Sequence, residues 1–394
     1  MTPALDVAFL HNFNLQFAEQ PVDKTDLLVT QGIVPLLNLY DAHPAVKADF
    51  FFTGYTDEYL ASYHPDLIER VKAVQARGQA AIGTYTYTHP VLTLLPYEDV
   101  YRQLVRGLEA DEKTWGFRPK GLLLPEVSWD VTLPQIMPEL GIDWVIVYEA
   151  LIPRYAGADS FPGTVLLEGI DGQTATGVLA HDALRGPIWE IADTGRGLEA
   201  YLAQIGNFQA KQERDQLLAL KIDAEFLYFT GLVREGLVEG DELPGPPASL
   251  ADMHRLYTAL EAMPNVRFTT IAAYVAAHPP SETVYAESKG GNDALDRWLR
   301  GEGRERLNIL EADARQHICT AAGVIALAEA QGLDTRRARA LYEQAWDHLL
   351  LAENSDGRAF VPHPSRKIVV AQAAVQAVRL AGEAVAAITA PERR

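Results

Sequence analysis

Two hydrophobic patterns alternate along the first two thirds of the chain. Short apolar runs, typical of strands buried on both faces of a parallel sheet, alternate with longer segments in which apolar positions recur at helical spacing. The runs that we interpret as strands cover residues 5–10, 48–52, 80–84, 121–124, 143–147, 165–167, 176–179 and 217–220. Helical spacing covers residues 26–39, 67–76 and 98–114. This βα repetition predicts an α/β domain with a parallel sheet and helices outside it.

The pattern changes near residue 278, where His278 precedes two prolines. Beyond this point the sequence predicts no strand. Three alanine-rich segments with helical periodicity follow, at residues 309–328, 335–352 and 368–388. We therefore predict a β/α domain over residues 1–278 and an all-α helical C-terminal domain over residues 290–394. The proline-rich segment 239–247 is interpreted as a surface loop near the site.

Composition narrows the classes of partner. The chain has 394 residues and a net charge of −19, from 53 acidic and 34 basic residues. This excess of acid argues against nucleic acid and against an anionic membrane surface, and favours a neutral substrate. No uncharged apolar window reaches the length of a membrane span, and the N-terminus lacks a targeting pattern, so we expect a cytoplasmic protein. The single cysteine, Cys319, forms no intramolecular disulfide and is predicted to be a core thiol.

Two carboxylates stand where predicted strands end. Glu126 follows the apolar run 122–124, and Asp223 follows the run that begins at Leu217. In β/α barrels this end of the strands carries the catalytic groups. Two such acids are what cleavage of a glycosidic bond requires. Retaining enzymes hold the two carboxyl groups closer together than inverting enzymes do, and the sequence leaves that separation open.

Histidine and aromatic side chains follow the same strand ends. His11 and His89 come after the first and third strands, and we expect both to point toward the mouth of the barrel. Contact with sugar hydroxyls, metal binding and a structural role all remain open for them. A metal site usually needs three protein ligands, and only two candidates are evident, so no metal is expected. Tyr87 and Trp129 are candidates for stacking on sugar rings, with core packing as the alternative.

Other chemistries find little support in the sequence. It contains no phosphate-binding loop, no dinucleotide-binding glycine motif and no nucleophile elbow. We therefore expect no cofactor.

Taken in order, the motifs resemble those of glycoside hydrolase family 57. The segments that carry the resemblance are 9–13 with His11, 51–54, 78–90 with His89, 121–130 with Glu126, 222–226 with Asp223 and Glu225, and 345–356. The resemblance implies a distorted seven-stranded parallel β/α barrel followed by a helical domain. It also implies retaining chemistry on α-glucan-like oligo- or polysaccharide through a covalent glycosyl-enzyme, with Glu126 as nucleophile and Asp223 as acid/base. Substrate contacts are expected from His11, His89, Trp129, Tyr87 and Glu225.

The chain departs from the family pattern at three positions. Ala81 stands where a glutamate is usual, Leu123 where a tryptophan is usual, and Leu227 where a glycine is usual. These departures leave open the sugar, the linkage, and the choice between hydrolysis, transfer and branching. They also leave open two alternatives to a glycosidase: a catalytically silent carbohydrate-binding protein on the same fold, and a metal-dependent polysaccharide deacetylase. The oligomeric state is left undetermined.

Overall fold

The computed structural model describes residues 3–18, 20–158, 160–194, 196–224, 250–288, 295–301, 303–358 and 362–389. Within these ranges ten strands form one sheet. They are β1 (Leu5–Phe13), β2 (Ala48–Phe52), β3 (Ala80–Thr84), β4 (Gly121–Leu123), β5 (Trp144–Tyr148), β6 (Thr164–Glu168), β7 (Thr174–Ala180), β8 (Gln216–Asp223), β9 (Val266–Phe268) and β10 (Thr283–Val284).

The sheet is mostly parallel and curls on itself. Its order is β10-β6-β7-β5-β4-β3-β2-β1-β8, with β9 paired to β1. Among the strand pairs of this sheet in the described chain, only β6–β7 is antiparallel. The run from β7 to β8 contains seven parallel strands, and its two ends approach where the His181 amide donates to the Ala219 carbonyl at 2.9 Å. The α/β class is confirmed, whereas the predicted count of seven strands is not, because the whole sheet has ten.

Helices cover the convex side of this sheet and continue as a separate group. Those of the β/α region are α1 (Thr25–Leu28), α2 (Val34–Ala42), α3 (Gly54–Tyr63), α4 (Pro65–Ala76), α5 (Tyr97–Trp115), α6 (Leu133–Leu140), α7 (Asp182–Thr194), α8 (Leu198–Ala210), α9 (Leu250–Ala262) and α10 (Ile271–Ala277). The C-terminal helices are α11 (Asp296–Leu299), α12 (Arg304–Ala330), α13 (Arg336–Ala352) and α14 (Pro364–Thr389). A π-helical turn, Val29–Ile33, joins α1 to α2.

Alternation along β1 sorts its side chains between two layers. Val7, Phe9 and Phe13 pack with the outer helices, whereas Ala8 and Leu10 belong to the cluster on the other face of the sheet. Successive side chains of a strand point to opposite faces, so neighbouring residues of one strand have different surroundings. The same alternation determines which strand-end residues face the site.

The C-terminal helices pack against one another as predicted, and two further expectations are corrected. Helix α14 is long and apolar enough, by length and composition alone, to cross a membrane, but its Ala373, Ala377 and Leu380 pack against the neighbouring helices.

Cys319 is exposed rather than part of a core, because it lies on the solvent side of α12. The expectation that no strand follows residue 278 is wrong, since β10 pairs with β6.

Candidate active site

Glu126 lies immediately after β4, in the short 3₁₀ turn Pro125–Val127. Its backbone has φ 52° and ψ 15°, and the next residue, Val127, has φ 47°. This left-handed region is uncommon for residues other than glycine, and a β-branched residue there is a genuine outlier. Such strained conformations cluster at functional sites, where the surrounding structure holds them. The turn keeps the Glu126 side chain partly exposed while Pro125 and Val127 are buried.

The loop that carries His89 has the same unusual backbone. Thr86 has φ 65° and His89 has φ 60°, both in the left-handed region. The His89 ring is held on both nitrogens: Nε2 lies 2.7 Å from the Tyr85 hydroxyl and Nδ1 lies 2.9 Å from the Ser355 hydroxyl. Two strained turns, after β3 and after β4, therefore meet at the carboxyl edge of the sheet.

Asp223 is the last residue of β8 and remains partly exposed. Lys221, two residues earlier and on the same face of the strand, forms an ion pair with its carboxylate. Asn12, the neighbour of Asp223 in register on β1, hydrogen-bonds the same carboxylate. Burial alone raises the pKa of Asp223, but the charge and hydrogen bond of Lys221, together with Arg185 and Asn12, hold that pKa below its ordinary value.

The two acids belong to one electrostatic cluster. Burial raises the pKa of Glu126; the nearby charges of His89 and Lys221 oppose this rise, and those of Asp356 and Asp223 add to it. Burial also raises the pKa of Tyr148 at the end of β5, and both Glu126 and Asp223 contribute to that rise. The pKa of Glu126 is therefore raised and that of Asp223 is lowered. In the free protein this order favours a protonated Glu126 and an ionised Asp223, the reverse of the nucleophile and acid roles that the family resemblance implies.

Asp356, from the segment after α13, enters the site from the helical region. Its Oδ2 lies 3.1 Å from His89 Nδ1 and accepts a hydrogen bond of 2.5 Å from the Asn14 amide. The neighbouring Asn354 amide donates to the Thr88 carbonyl at 2.6 Å. This segment therefore fixes the His89 loop and adds a third carboxylate near Glu126.

The structure corrects the prediction for His11. Its side chain points to the outer face of β1, where Nε2 lies 2.8 Å from the Tyr40 hydroxyl, and no part of the residue is exposed. Burial lowers its pKa to about 3, so the ring is neutral. Because side chains alternate along β1, Asn12 rather than His11 faces Asp223.

Two aromatic predictions are also corrected, and one acidic residue lies outside the described residues. Trp129 has no exposed surface and packs within the core of β4 and β5, so it offers no face to a sugar. Tyr87 packs against the C-terminal helices and donates a hydrogen bond of 3.1 Å to Glu58. Both rings follow the alternative of core packing. Glu225, predicted to contact substrate, is not among the described residues.

Several residues of the site were not anticipated. They are Asn12, Tyr85, Tyr148, Arg185, Lys221, Ser355 and Asp356. Alternation along β1 and β8 identifies Asn12 and Lys221 once Asp223 is chosen. Tyr85 and Tyr148 directly follow predicted strands, and Ser355 and Asp356 lie at the end of segment 345–356, which carries part of the family resemblance. Arg185 has no such local signal. Within the described chain, no three His, Cys, Asp or Glu side chains are grouped so as to hold a metal ion.

A cavity of about 100 Å³ lies beside the site, between the β/α region and the C-terminal helices. Val91, Trp298, Glu353, Ser355 and Arg358 are among the residues that line it. Since the Ser355 hydroxyl also contacts His89, the cavity adjoins the acid cluster.

Solved structures share this fold along nearly the whole chain. The alpha-amylase AmyC from Thermotoga maritima superposes with a TM-score of 0.70 and 12% identity, over 98% of this chain and 94% of that one. The 4-alpha-glucanotransferase from Thermococcus litoralis gives a TM-score of 0.69 and 16% identity, over 96% and 60%. At these identities the likeness establishes the fold alone, a curled, mostly parallel β/α sheet with helices after it.

Sequence comparison matches part of the chain to one family. The sequence model of glycosyl hydrolase family 57 matches residues 33–162, a range that includes His89 and Glu126. Alpha-amylase 1 of Dictyoglomus thermophilum is 28% identical over 135 residues, which are 33% of this chain and 20% of that relative. The chain is related to glycosyl hydrolase family 57, and the resemblance seen in its motifs is confirmed. The match spans about a fifth of that relative's length.

Proposed function

We propose that the protein cleaves α-glucan-like carbohydrate and passes the released glycosyl group to water or to another sugar. Support comes from the family relationship together with one feature of the site. Glu126 and Asp223, from separate strands, join a single cluster at the carboxyl edge of the sheet, where the charge of Asp223 acts on Glu126. Each is partly exposed, so a ligand has access to both. The proposal rests on this closeness of the Glu126 and Asp223 carboxyl groups.

The reaction would proceed in two steps through a covalent glycosyl-enzyme. In the first, the Glu126 carboxylate bonds to the anomeric carbon as the bond to the leaving oxygen breaks, and Asp223 gives that oxygen its proton. In the second, Asp223 takes a proton from water or an acceptor hydroxyl, whose oxygen attacks the anomeric carbon and releases Glu126. Configuration is retained because each step inverts the same carbon.

Of the residues predicted to contact substrate, His89 is the one whose position near Glu126 supports that role. Its ring is oriented by Tyr85 and Ser355 and lies near both Glu126 and Asp356. A fixed imidazole beside the nucleophile would hydrogen-bond a hydroxyl of the sugar bound there. Positioning of this kind raises the rate by holding the reacting atoms in place.

The direct test is incubation with a panel of α-glucans, followed by chromatography of the products. Products shorter than the substrate indicate hydrolysis, and longer ones indicate transfer. Replacing Glu126 with glutamine should lower kcat on the order of a thousandfold or more, because the other catalytic residues cannot act without the nucleophile. The Tm should change little, because glutamine has nearly the same shape. Loss of folding in E126Q would assign Glu126 a structural role instead.

Covalent trapping tests the two roles separately. A 5-fluoro-α-glucosyl fluoride should leave a glycosyl ester on the nucleophile, which peptide mass spectrometry locates. We expect the label on Glu126, and its appearance on Asp223 would exchange the two roles. Binding of maltooligosaccharides by calorimetry, with no product from any glucan and no label, would favour the catalytically silent binding protein.

A further inference from the structure

Lys221 is a buried lysine inside the candidate active site. It lies on β8 two residues before Asp223, and only 7% of its surface is exposed. Its ammonium forms an ion pair with the Asp223 carboxylate. Burying an ammonium group is unfavourable unless it is paired, so this contact fixes the side chain. A strand places residues two apart on the same face, which makes the pairing a consequence of the sequence spacing.

Among the described residues, the charges that act most on Asp223 come from its own strand and from α7. Lys221 belongs to the same strand, and Arg185 on α7 adds a second cation. Arg185 is itself held by Asp182, whose Oδ1 lies 2.8 Å from its Nε. The groups facing the pair from other elements are Asn12 on β1, Glu126 after β4 and Tyr148 on β5, with His89 and Asp356 behind Glu126. Lys221 is the cation that acts on both carboxyl groups.

We propose that Lys221 is a positioning residue that favours the ionised form of Asp223, and so assists the second half of the reaction at the expense of the first. This inference rests on the proposed function. In the first step Asp223 must hold a proton to give to the leaving oxygen. In the second step it must be ionised to accept one. A fixed ammonium group beside the carboxylate opposes the first state and stabilises the second.

The consequence is a difference between two kinds of substrate. An unactivated α-glucan needs the proton of Asp223 to release its leaving group, so Lys221 limits the rate on the alkaline side of the optimum. A glycosyl fluoride releases fluoride without that proton, so its turnover depends on the second step, in which Lys221 helps. One substitution should therefore change the two pH profiles differently.

The test is Lys221→Met, which keeps the length of the side chain and removes the charge. With maltoheptaose, both limbs of the kcat/KM profile should move to higher pH, because the ammonium no longer favours either carboxylate. Each pH unit of movement changes the rate on a limb by about tenfold. With α-glucosyl fluoride, kcat below the optimum should fall. A profile that keeps its limbs in place, with only its height changed, would overturn the proposal.

The matched control is Lys120→Met, a lysine whose side chain is 70% exposed and paired with Asp143 at the surface. It should leave both profiles where they are in the wild type. Lys221→Gln provides a second variant if K221M does not fold. A shift in K120M equal to that in K221M would count against a local effect.

A measurement without turnover separates this inference from the proposed function. The carboxyl group of Asp223 can be titrated by NMR in protein labelled with ¹³C at aspartate carboxyls, with D223N identifying its signal. We expect the midpoint of this signal at higher pH in K221M than in the wild type. If no glucan is turned over, the proposed function fails, but an unchanged midpoint is needed to reject the role of Lys221.

Discussion

At the residue scale, the protein keeps several carboxyl groups away from water. Besides the site acids, Asp57 and Asp111 lie against each other with no exposed surface, between α3 and α5. Asp57 accepts a hydrogen bond of 3.1 Å from the Trp115 indole. Burial raises the pKa of both carboxyl groups, and the charge of Asp111 raises that of Asp57 further. Such a pair is stable when it holds a proton.

This pair makes stability depend on pH in a defined direction. Because the folded-state pKa values are raised, the folded state binds more protons, and stability falls as the pH rises from the ordinary aspartate value toward about 7, the raised pKa of Asp111. We predict that Asp57→Asn, which mimics the protonated acid, weakens this fall by about 1–2 kcal/mol between pH 5.5 and 8. Urea unfolding at the two pH values measures it.

The control for this substitution is Asp143→Asn, which removes the same charge from a side chain that is 55% exposed. D143N should leave the pH dependence of unfolding unchanged. Equal pH dependence in D57N and the wild type would show that the pair ionises without cost.

At the scale of elements, the position of the His89 loop depends on close packing by α5. A Cβ added at Gly107 would lie 2.7 Å from the backbone carbon of Thr86, closer than side chains approach a backbone. Thr86 belongs to the same strained turn as His89. Only glycine at this point of α5 lets the helix lie against the turn.

We predict that Gly107→Ala destabilises the protein by about 1–3 kcal/mol and lowers activity, because the turn must shift. The matched control is Gly323→Ala, in α12, where an added Cβ would meet no atom within 4 Å. G323A should stabilise the protein by about 0.5–1 kcal/mol through helix propensity. Thermal unfolding and kcat/KM compare the two variants, and equal effects would contradict this account of the packing.

At the scale of the whole molecule, the helical region and the β/α region share buried polar contacts. Arg366 of α14 is buried and donates to the carbonyls of Gln20 at 2.8 Å and Leu15 at 3.2 Å. Arg315 of α12 pairs with the buried Asp99 of α5 at 2.5 Å. We therefore expect the proposed domains 1–278 and 290–394 to unfold together.

Calorimetry tests this cooperativity. The wild type should show a single transition. Arg366→Ala should move that whole transition to lower temperature and reduce the free energy of unfolding by about 2–4 kcal/mol, because buried carbonyls lose a charged donor. Arg379→Ala, on an exposed position of the same helix, is the control and should have little effect. Two transitions, of which R366A moves only one, would show that the regions fold independently.

The fold class and several elements followed from the sequence alone. The strands Ala48–Phe52 and Ala80–Thr84 have the predicted ends, and the long C-terminal helices lie where their periodicity placed them, because continuous apolar runs and helical spacing report local burial. The sequence also indicated that Glu126 and Asp223 follow strands. Parallel strands share one carboxyl edge, so their meeting was predictable.

Tertiary structure decided which other side chains reach that edge. His11 and Asn12 are adjacent in the chain, but the face of β1 that packs against the helices determines that Asn12 meets Asp223 and His11 meets Tyr40. Asp356 comes from a helical region far along the chain, and only the packing of that region brings it to His89. Local patterns report how residues neighbour one another along the chain, whereas a site is made of contacts between segments that no local pattern relates.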